Sequence, residues 1–270
     1  MIANAATTRN RLHQLDSYLT RVRSTVFIIM LLIAWEVVCR IFHVSPLVIV
    51  PPSQVAGAFL RLLSQGELLY HVYISMAEFI QGFLLAAVVG ISVGIALGVN
   101  KPLRDYLDVT ISALYAMPII AISPLLIMWF GIGTGSKVAV VFSVAVFNIL
   151  INTTSGVLSV DKNFIETAKC YGLSRTQIFL KVLIPAALPF IITGLRLGVG
   201  RGLIGVVVGE LFGARAGLGF LIYSASQVFD TATLLVGVLI FAVIGVASTE
   251  FIKWIEDRVA PWRRLARAEH

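Results

Sequence analysis

The stretch Asp161–Pro189, DKNFIETAKCYGLSRTQIFLKVLIPAALP, is a mostly polar, helix-forming segment between two long apolar runs. Asp161 or Asn163 is a suitable N-cap for a short helix, because either side chain can accept a hydrogen bond from the first turn. Glu166 is predicted in that first turn, where a negative charge favours a helix N-terminus. Gly172 is placed to end the helix, since glycine readily adopts the left-handed conformation of a C-terminal cap.

A second helix is predicted to begin directly after this glycine. The run Ser174–Gln177 has the pattern of a capping box, in which the serine and glutamine side chains bond each other's backbone amides. Pro185 and Pro189 then perturb the helix. A simple connection between two membrane spans needs neither two caps nor a glycine stop. The sequence therefore predicts a surface hairpin that docks a partner.

The composition indicates a membrane protein. Hydrophobic residues make up 58% of the 270 residues, charged residues make up 13%, and the mean hydropathy is +0.93. The apolar residues form runs long enough to cross a bilayer, with most charges between them. The net charge of +7 is spread over several loops rather than one face, so nucleic acid is not an expected partner.

We predict an all-α integral membrane fold with six transmembrane helices, and with the hairpin at 161–185 between helices four and five. A polar tail at 1–24 precedes the first span, and an external segment at 43–73 follows it, with an interfacial helix near Val55–Leu63. A basic tail at 254–270 ends the chain. The first apolar run contains Glu36 and Arg40 and no small-residue cleavage site follows it, so we expect an anchor rather than a signal peptide. The predicted spans are 25–42, 74–99, 107–131, 137–158, 186–213 and 232–253.

The lysines and arginines predict the orientation of the chain. Fifteen of the 21 lie in the N-terminal tail, the 100–106 loop, the hairpin and the C-terminal end, whereas the opposite side has Arg61, Lys137 and Arg215. Because loops rich in Lys and Arg stay in the cytoplasm, both termini and the hairpin are expected there.

The hairpin also resembles a known motif. Glu166-Thr-Ala168, Gly172 and Val182-Leu-Ile184-Pro185 look like the EAA motif of ABC importer permeases, with conservative departures at Thr167, Val182 and Ile184. The resemblance runs from about Pro51 to Trp254. It is closest to the nitrate, sulfonate, taurine and thiamine-precursor branch, through the segments Trp129–Gly133, Gly209–Gly213 and Gly217–Gly219.

The resemblance implies a permease subunit in the bacterial inner membrane. Its expected partners are two cytoplasmic ATPase subunits, an external solute-binding protein, a second copy of the permease and membrane lipid. No cofactor is expected on this chain, because the partner ATPase would bind ATP. The hairpin would be the coupling element, and the residues implied in ATPase coupling are Phe164, Glu166, Thr167, Ala168, Tyr171 and Gly172.

Patterns for catalysis or nucleotide binding are weak. Gly200–Gly205 fits G-x-G-x-x-G but lies in an apolar helix with no strand before it, and Gly131–Lys137 lacks the second glycine and the hydroxyl residue of a phosphate loop. Cys39 and Cys170 lie in different elements and have no metal-ligand spacing. No catalytic residue and no metal site are predicted.

Polar residues inside the spans are the other candidates. A charge near the bilayer centre costs roughly 2.5–3.5 kcal/mol, so it normally faces protein or water. These residues either hydrogen-bond neighbouring helices or line the translocation path, and the sequence leaves both roles open. Glu36, Arg40 and Glu250 lie near span ends and are expected to snorkel. The path candidates are Glu210, Arg201, Arg196, Glu78, Asn148 and Asn152.

Glycines and prolines predict how the spans pack. Gly90, Gly94 and Gly98 recur at every fourth position, and a similar series runs from Gly194 to Gly213. Such series allow helix backbones to approach closely, either within one subunit or at a homodimer seam. Prolines in the third span and before the fifth indicate bent helices around a pathway.

An ABC importer permease that works by alternating access is the function we predict from the sequence. The transported solute is expected to be an anion such as a sulfonate, taurine or nitrate, with a thiamine-related pyrimidine as the alternative. A secondary transporter driven by an ion gradient and a non-transporting scaffold are the other classes considered. The former usually has an internal repeat, and no convincing repeat is present.

Overall fold

The computed structural model describes residues 26–42 and 45–259, together with Arg23. The predicted tail at 1–24 otherwise lies outside this part of the chain, as does everything after Val259. Regular structure in the described residues is helical. Residues 26–41 form helix α1, and the remaining helices are α2 (Pro52–Ser64), α3 (Glu67–Val99), α4 (Lys101–Ala116), α5 (Ile119–Phe130), α6 (Thr134–Leu158), α7 (Lys162–Cys170), α8 (Arg175–Ile178), α9 (Ile184–Gly213), α10 (Leu218–Gln227) and α11 (Thr231–Val259).

Four helical segments of the described chain are long and apolar enough to cross a membrane. They are Glu67–Val99, Thr134–Leu158, Arg175–Gly213 and Thr231–Val259, and the pair α4–α5 makes a fifth if it counts as one span. The sequence prediction started α3 at residue 74, whereas the helix begins seven residues earlier, at Glu67.

The predicted span at 107–131 is two helices rather than one. Helices α4 and α5 meet at an angle of 93° across a break at Met117 and Pro118. A residue that precedes proline avoids the helical conformation, and Met117 is extended, with φ −65° and ψ 132°. The proline therefore explains the bend that the sequence indicated.

Helix α6 is the centre of the fold, with α3 packed on one side and α9 on the other. Glycines line both contacts. A Cβ atom at Gly98 of α3 would lie 2.5 Å from Val157 Cβ, and one at Gly194 of α9 would lie 2.9 Å from Asn152 Cβ. These glycines permit close packing of helices within the subunit, which is the first of the two roles predicted for them.

The second arm of the hairpin continues into a membrane span. Helix α8, a π-helical turn at Phe179–Leu183 and α9 form one uninterrupted helical segment of 39 residues. Pro185 lies in the first turn of α9, directly after the π turn. Proline cannot donate the usual helical hydrogen bond, and the wider turn before it accommodates this change in the bonding pattern. The prolines thus modify the helix without ending it.

Two short helices cover one end of the bundle. The predicted interfacial helix is α2, and its buried side chains Val55, Ala58 and Leu62 pack against α10 and α11. Helix α10 lies in a stretch for which the sequence predicted no helix.

The sequence predicts that Glu36 of α1 snorkels to the membrane surface, but in the structure its side chain also binds the start of another helix. Its carboxylate accepts hydrogen bonds from the Ser53 amide (3.0 Å) and hydroxyl (2.8 Å), at the start of α2.

Candidate functional site

Helix α7 of the hairpin has a defined cap at each end. The Asp161 carboxylate accepts a hydrogen bond from the Asn163 amide at 2.9 Å, so Asp161 is the N-cap. At the other end Gly172 has φ +74°. Its amide donates to Lys169, and the following amide, of Leu173, donates to Ala168, which together form a Schellman motif. The start and the end of α7 are therefore determined by local hydrogen bonds.

The next helix begins with the predicted capping box. The Ser174 hydroxyl accepts from the Gln177 amide at 3.3 Å, and the Gln177 side chain accepts from the Ser174 amide at 2.9 Å. Glu166 differs from its predicted place. Since α7 begins at Lys162, Glu166 lies in the second turn of the helix and does not cap it.

One face of α7 presents two exposed aromatic rings. Phe164 is 63% exposed and Tyr171 is 82% exposed, whereas Ala168 is buried. Residues at positions i, i+3 and i+7 share a helix face, which places Thr167 between the two rings. Glu166 is also exposed. A pair of exposed rings on a rigidly capped helix is suited to docking a protein partner, because aromatic residues are enriched in such interfaces.

A second group of candidates lies at the opposite end of the bundle. We call Glu78, Lys137, Glu210 and Ser75 the carboxylate cluster. The Lys137 Nζ atom is 3.4 Å from a Glu78 carboxylate oxygen, and both side chains are buried. Glu210 lies close enough to Glu78 for an electrostatic interaction. Two predicted path residues, from α3 and α9, are thus brought together by the protein interior.

Glu210 holds α10 against the bundle. One oxygen of its carboxylate accepts from the Ser75 hydroxyl at 2.6 Å, and the other accepts from the Gly219 amide at 2.5 Å. A Cβ atom at Gly217 would lie 2.2 Å from the carboxylate, so a larger residue cannot replace this glycine without displacing Glu210. The glycines of the Gly217–Gly219 segment therefore make room for the Glu210 side chain.

Two other predicted path residues share a cavity. Arg201 of α9 and Asn148 of α6 both line a space of about 370 Å³ beside the α4–α5 break. We call this space the arginine cavity. Its remaining lining residues are Tyr115, Met117, Pro118, Ile119, Ile120, Ser143, Val144, Phe147 and Ile204.

The last two path candidates lie elsewhere. Arg196 forms an ion pair with Glu256 of α11 at 2.5 Å, which links α9 to the last helix. The Asn152 amide donates to the Asn148 carbonyl at 2.8 Å, within α6. Neither residue lines the arginine cavity. Five of the six predicted path residues thus fall into a carboxylate cluster, a cavity and an ion pair between helices, and the sixth, Asn152, bonds within its own helix.

Sequence reasoning missed some of these groups. The sequence predicts Lys137 at the outer edge of the 137–158 span, but it lies in the first turn of α6, which begins at Thr134, and it is buried. His71, which was placed outside the spans, lies in α3 and accepts a hydrogen bond from the Gly217 amide at 3.0 Å. A lysine three residues into an apolar helix is the signal that could have indicated a buried partner, because an unpaired charge there is costly.

Comparisons with known proteins agree with this architecture. Residues 86–261 match the family model described as binding-protein-dependent transport system inner membrane component. The chain is 36% identical to the putative aliphatic sulfonates transport permease protein SsuC of Bacillus subtilis, over 85% of this chain and 83% of that one. It is 34% identical to the taurine transport system permease protein TauC of Escherichia coli, over 86% of each chain.

A more distant relative has a different named substrate. The formylaminopyrimidine transport permease protein ThiX of Halalkalibacterium halodurans is 30% identical over 89% of this chain and 95% of its own. Among solved structures, an inward-facing MetNI methionine ABC transporter shares the fold, with a TM-score of 0.61 and 19% identity over 73% of this chain and 96% of the other. An amino acid ABC transporter also gives 0.61, at 14% identity over 74% of this chain and 97% of the other.

The family model covers more than half of the chain, and the curated relatives match most of their own length. The match includes the capped hairpin and the helices on both sides of it. This chain belongs to the binding-protein-dependent transport system inner membrane component family, as the permease component of an ABC importer.

Proposed function

We propose that this permease imports a small sulfonate anion and that the hairpin transmits ATP-driven movement to the membrane helices. The observation that carries the coupling role is the exposed face of α7, with Phe164 and Tyr171 on a helix capped at both ends. A distant ATPase can change a membrane conformation only through a contact that differs between two states. The hairpin suits that contact because its second arm continues directly into the α9 span.

The proposed assembly contains two permease copies, cytoplasmic ATPase subunits that bind ATP, and an external solute-binding protein. The exposure of helix α4 favours a second copy of the permease in the assembly. This helix has no buried residue in the described chain, and Tyr106 and Val109 are 82% and 78% exposed. A helix of a membrane bundle that buries so little of its surface within one subunit is suited to contact another subunit. We propose an inner-membrane location, six spans with α1 as the first and α4–α5 as one bent span, and cytoplasmic termini.

Sulfonates are the favoured substrates because two of the most similar relatives are named as sulfonate and taurine permeases. A formylaminopyrimidine is the second candidate, which the relative from Halalkalibacterium halodurans supports. Family membership favours a binding-protein-dependent importer over an ion-gradient transporter or a scaffold.

Reconstitution tests the proposal. The chain is placed in proteoliposomes with its ATPase and its binding protein, and accumulation of labelled taurine and of an alkanesulfonate is measured. We expect accumulation that needs both ATP and the binding protein, with formylaminopyrimidine in parallel as the alternative substrate. Accumulation driven by an ion gradient without ATP would overturn the proposed mechanism. Uptake of the pyrimidine alone would overturn the sulfonate assignment.

A further inference from the structure

Arg201 has an unusual position for a charged residue. It lies about 4 Å along the axis from the midpoint of α9, since each helical residue rises about 1.5 Å. The side chain is exposed in the single subunit, and no carboxylate pairs with it in the described part of the chain. A charge at the centre of a span normally faces protein or water and marks a functional site.

The arginine cavity is the space that Arg201 faces. Its volume of about 370 Å³ lies within the usual range for small-molecule sites. Arg201 is the one charged side chain among its lining residues, and Asn148, Ser143 and Tyr115 supply polar groups. The cavity is therefore electropositive and has neutral hydrogen-bonding groups around a single cation.

The wall of the cavity includes the break between α4 and α5. Met117 and Pro118 form this break and line the cavity, as do Ile119 and Ile120. Non-helical backbone at membrane depth is tolerated only where it is buried in protein or lines a water-filled space.

The other arginine of α9, Arg196, has different surroundings from Arg201. Arg196 lies five residues earlier on the same helix, and its guanidinium is bound to Glu256. Arg196 thus has a structural partner, whereas Arg201 faces a cavity of ligand size. The two arginines have opposite surroundings although the sequence presents them alike.

We propose that the arginine cavity binds the anionic group of the solute during translocation, with Arg201 as the cation that contacts a sulfonate and with Asn148 on the same wall. This inference rests on the proposed function, and it assigns the site and the chemistry of recognition. A charged hydrogen bond between a guanidinium and an oxyanion is stronger and more directional than a neutral one. The apolar wall residues leave room for the remainder of a small organic anion.

The test compares variants in the complete complex of permease, ATPase and binding protein. Arg201→Gln removes the cation and is expected to lower sulfonate uptake about 10- to 100-fold, while the complex still assembles with its ATPase. Arg201→Lys keeps the charge and is expected to retain more uptake than the glutamine variant. Arg196→Lys is the matched control on the same helix, and it should leave uptake per assembled complex unchanged.

Asn148→Asp provides a second variant if Arg201→Gln does not assemble. It places a carboxylate on the cavity wall, which supplies Arg201 with a counter-charge and repels an incoming anion. We expect assembly with uptake lowered by at least about tenfold, because like charges disfavour each other at close range. If wild-type protein accumulates sulfonate with ATP and Arg201→Gln or Asn148→Asp does so equally, this site is wrong. If wild-type protein itself accumulates none, the proposed function is wrong.

Discussion

Lys137 and Glu78 form an ion pair inside the helical bundle, with 3.4 Å between Nζ and the carboxylate and with side chains only 8% and 3% exposed. Removing one partner of a buried pair leaves the other charge without compensation, which costs about 3–5 kcal/mol. Lys137→Met is expected to be more harmful than Glu78→Gln, because it leaves the Glu78 and Glu210 carboxylates facing each other without a cation.

A double variant tests whether Lys137 and Glu78 stabilise the protein as a pair or independently of each other. Lys137→Met combined with Glu78→Gln is expected to recover part of the stability lost in Lys137→Met, since no lone positive or negative member of the pair remains. Thermal unfolding of the detergent-purified protein and the yield of monodisperse protein are the measurements. Equal stability of wild type and Lys137→Met would contradict the buried ion pair.

Glu210→Gln is predicted to lower the yield of folded complex rather than its transport rate per molecule. Both carboxylate oxygens accept hydrogen bonds from donors, and an amide would direct its NH₂ group at one of them. A buried donor left facing a donor costs about 1–3 kcal/mol. Glu250→Gln is the control, because Glu250 pairs with Lys253 on the exposed surface. Normal yield with altered transport would instead place Glu210 in the translocation path.

The hairpin is predicted to couple the ATPase through its geometry. Gly172→Val is expected to strain the left-handed turn by about 1–2 kcal/mol and to move the Tyr171 side chain, since φ there is +74°. Gly172→Asn is the control, because asparagine tolerates this conformation. We expect only the valine variant to lose ATPase co-purification or its stimulation by the loaded binding protein. Equal coupling in both variants would contradict this role.

Charge reversal on the exposed side of α7 tests the same contact independently. Glu166→Lys leaves both caps of α7 intact, because Glu166 lies in the second turn and makes neither. We expect the permease to insert normally and to bind the ATPase several-fold less tightly. The measurement is a pull-down of the ATPase with purified permease. Unchanged binding would remove Glu166 from the coupling surface.

The orientation predicted from the basic residues can be checked with a native cysteine. Cys170 is exposed at the end of α7, whereas Cys39 is buried in α1. A membrane-impermeant thiol reagent is expected to leave sealed cells unlabelled and to label the protein after permeabilisation. Cys170→Ser identifies any signal from Cys39. Labelling of Cys170 in sealed cells would reverse the proposed topology.

Asp230 is predicted to stabilise the start of α11 independently of pH across the physiological range. Partial burial by itself raises the pKa of Asp230, but hydrogen bonds from the Thr233 amide and hydroxyl, together with Arg61, outweigh it and leave the pKa below its ordinary value of 3.8. A lowered pKa means that the stabilisation is complete above the unfolded-state pKa and is lost only as the pH falls through the folded-state pKa.

The corresponding substitution is Asp230→Ala, which removes the cap and is expected to cost about 1–2 kcal/mol. The loss should be the same at pH 6 and pH 9 in thermal unfolding. Asp230→Asn keeps a capping side chain and should be less harmful. A loss that changes markedly between these two pH values would contradict the proposed cause.

Local features of this protein follow from its sequence because their partners are only a few residues apart. The Asp161 cap, the left-handed Gly172 and the Ser174–Gln177 capping box depend on contacts within five positions, so their spacing is sufficient to predict them. The bend at Pro118 has the same origin, since proline restricts the residue directly before it. Hydrophobic runs likewise identify the spans, because each must match the thickness of a bilayer.

Only the tertiary structure decided what the charged residues inside the spans do. Arg196 and Arg201 lie on one helix with similar neighbours, yet one meets Glu256 and the other faces a cavity. Helical periodicity gives the relative direction of two side chains on the same helix, but it does not say which helix lies opposite. That choice depends on how the helices pack against one another, which brings together residues far apart in the chain, such as Arg196 and Glu256, 60 positions apart.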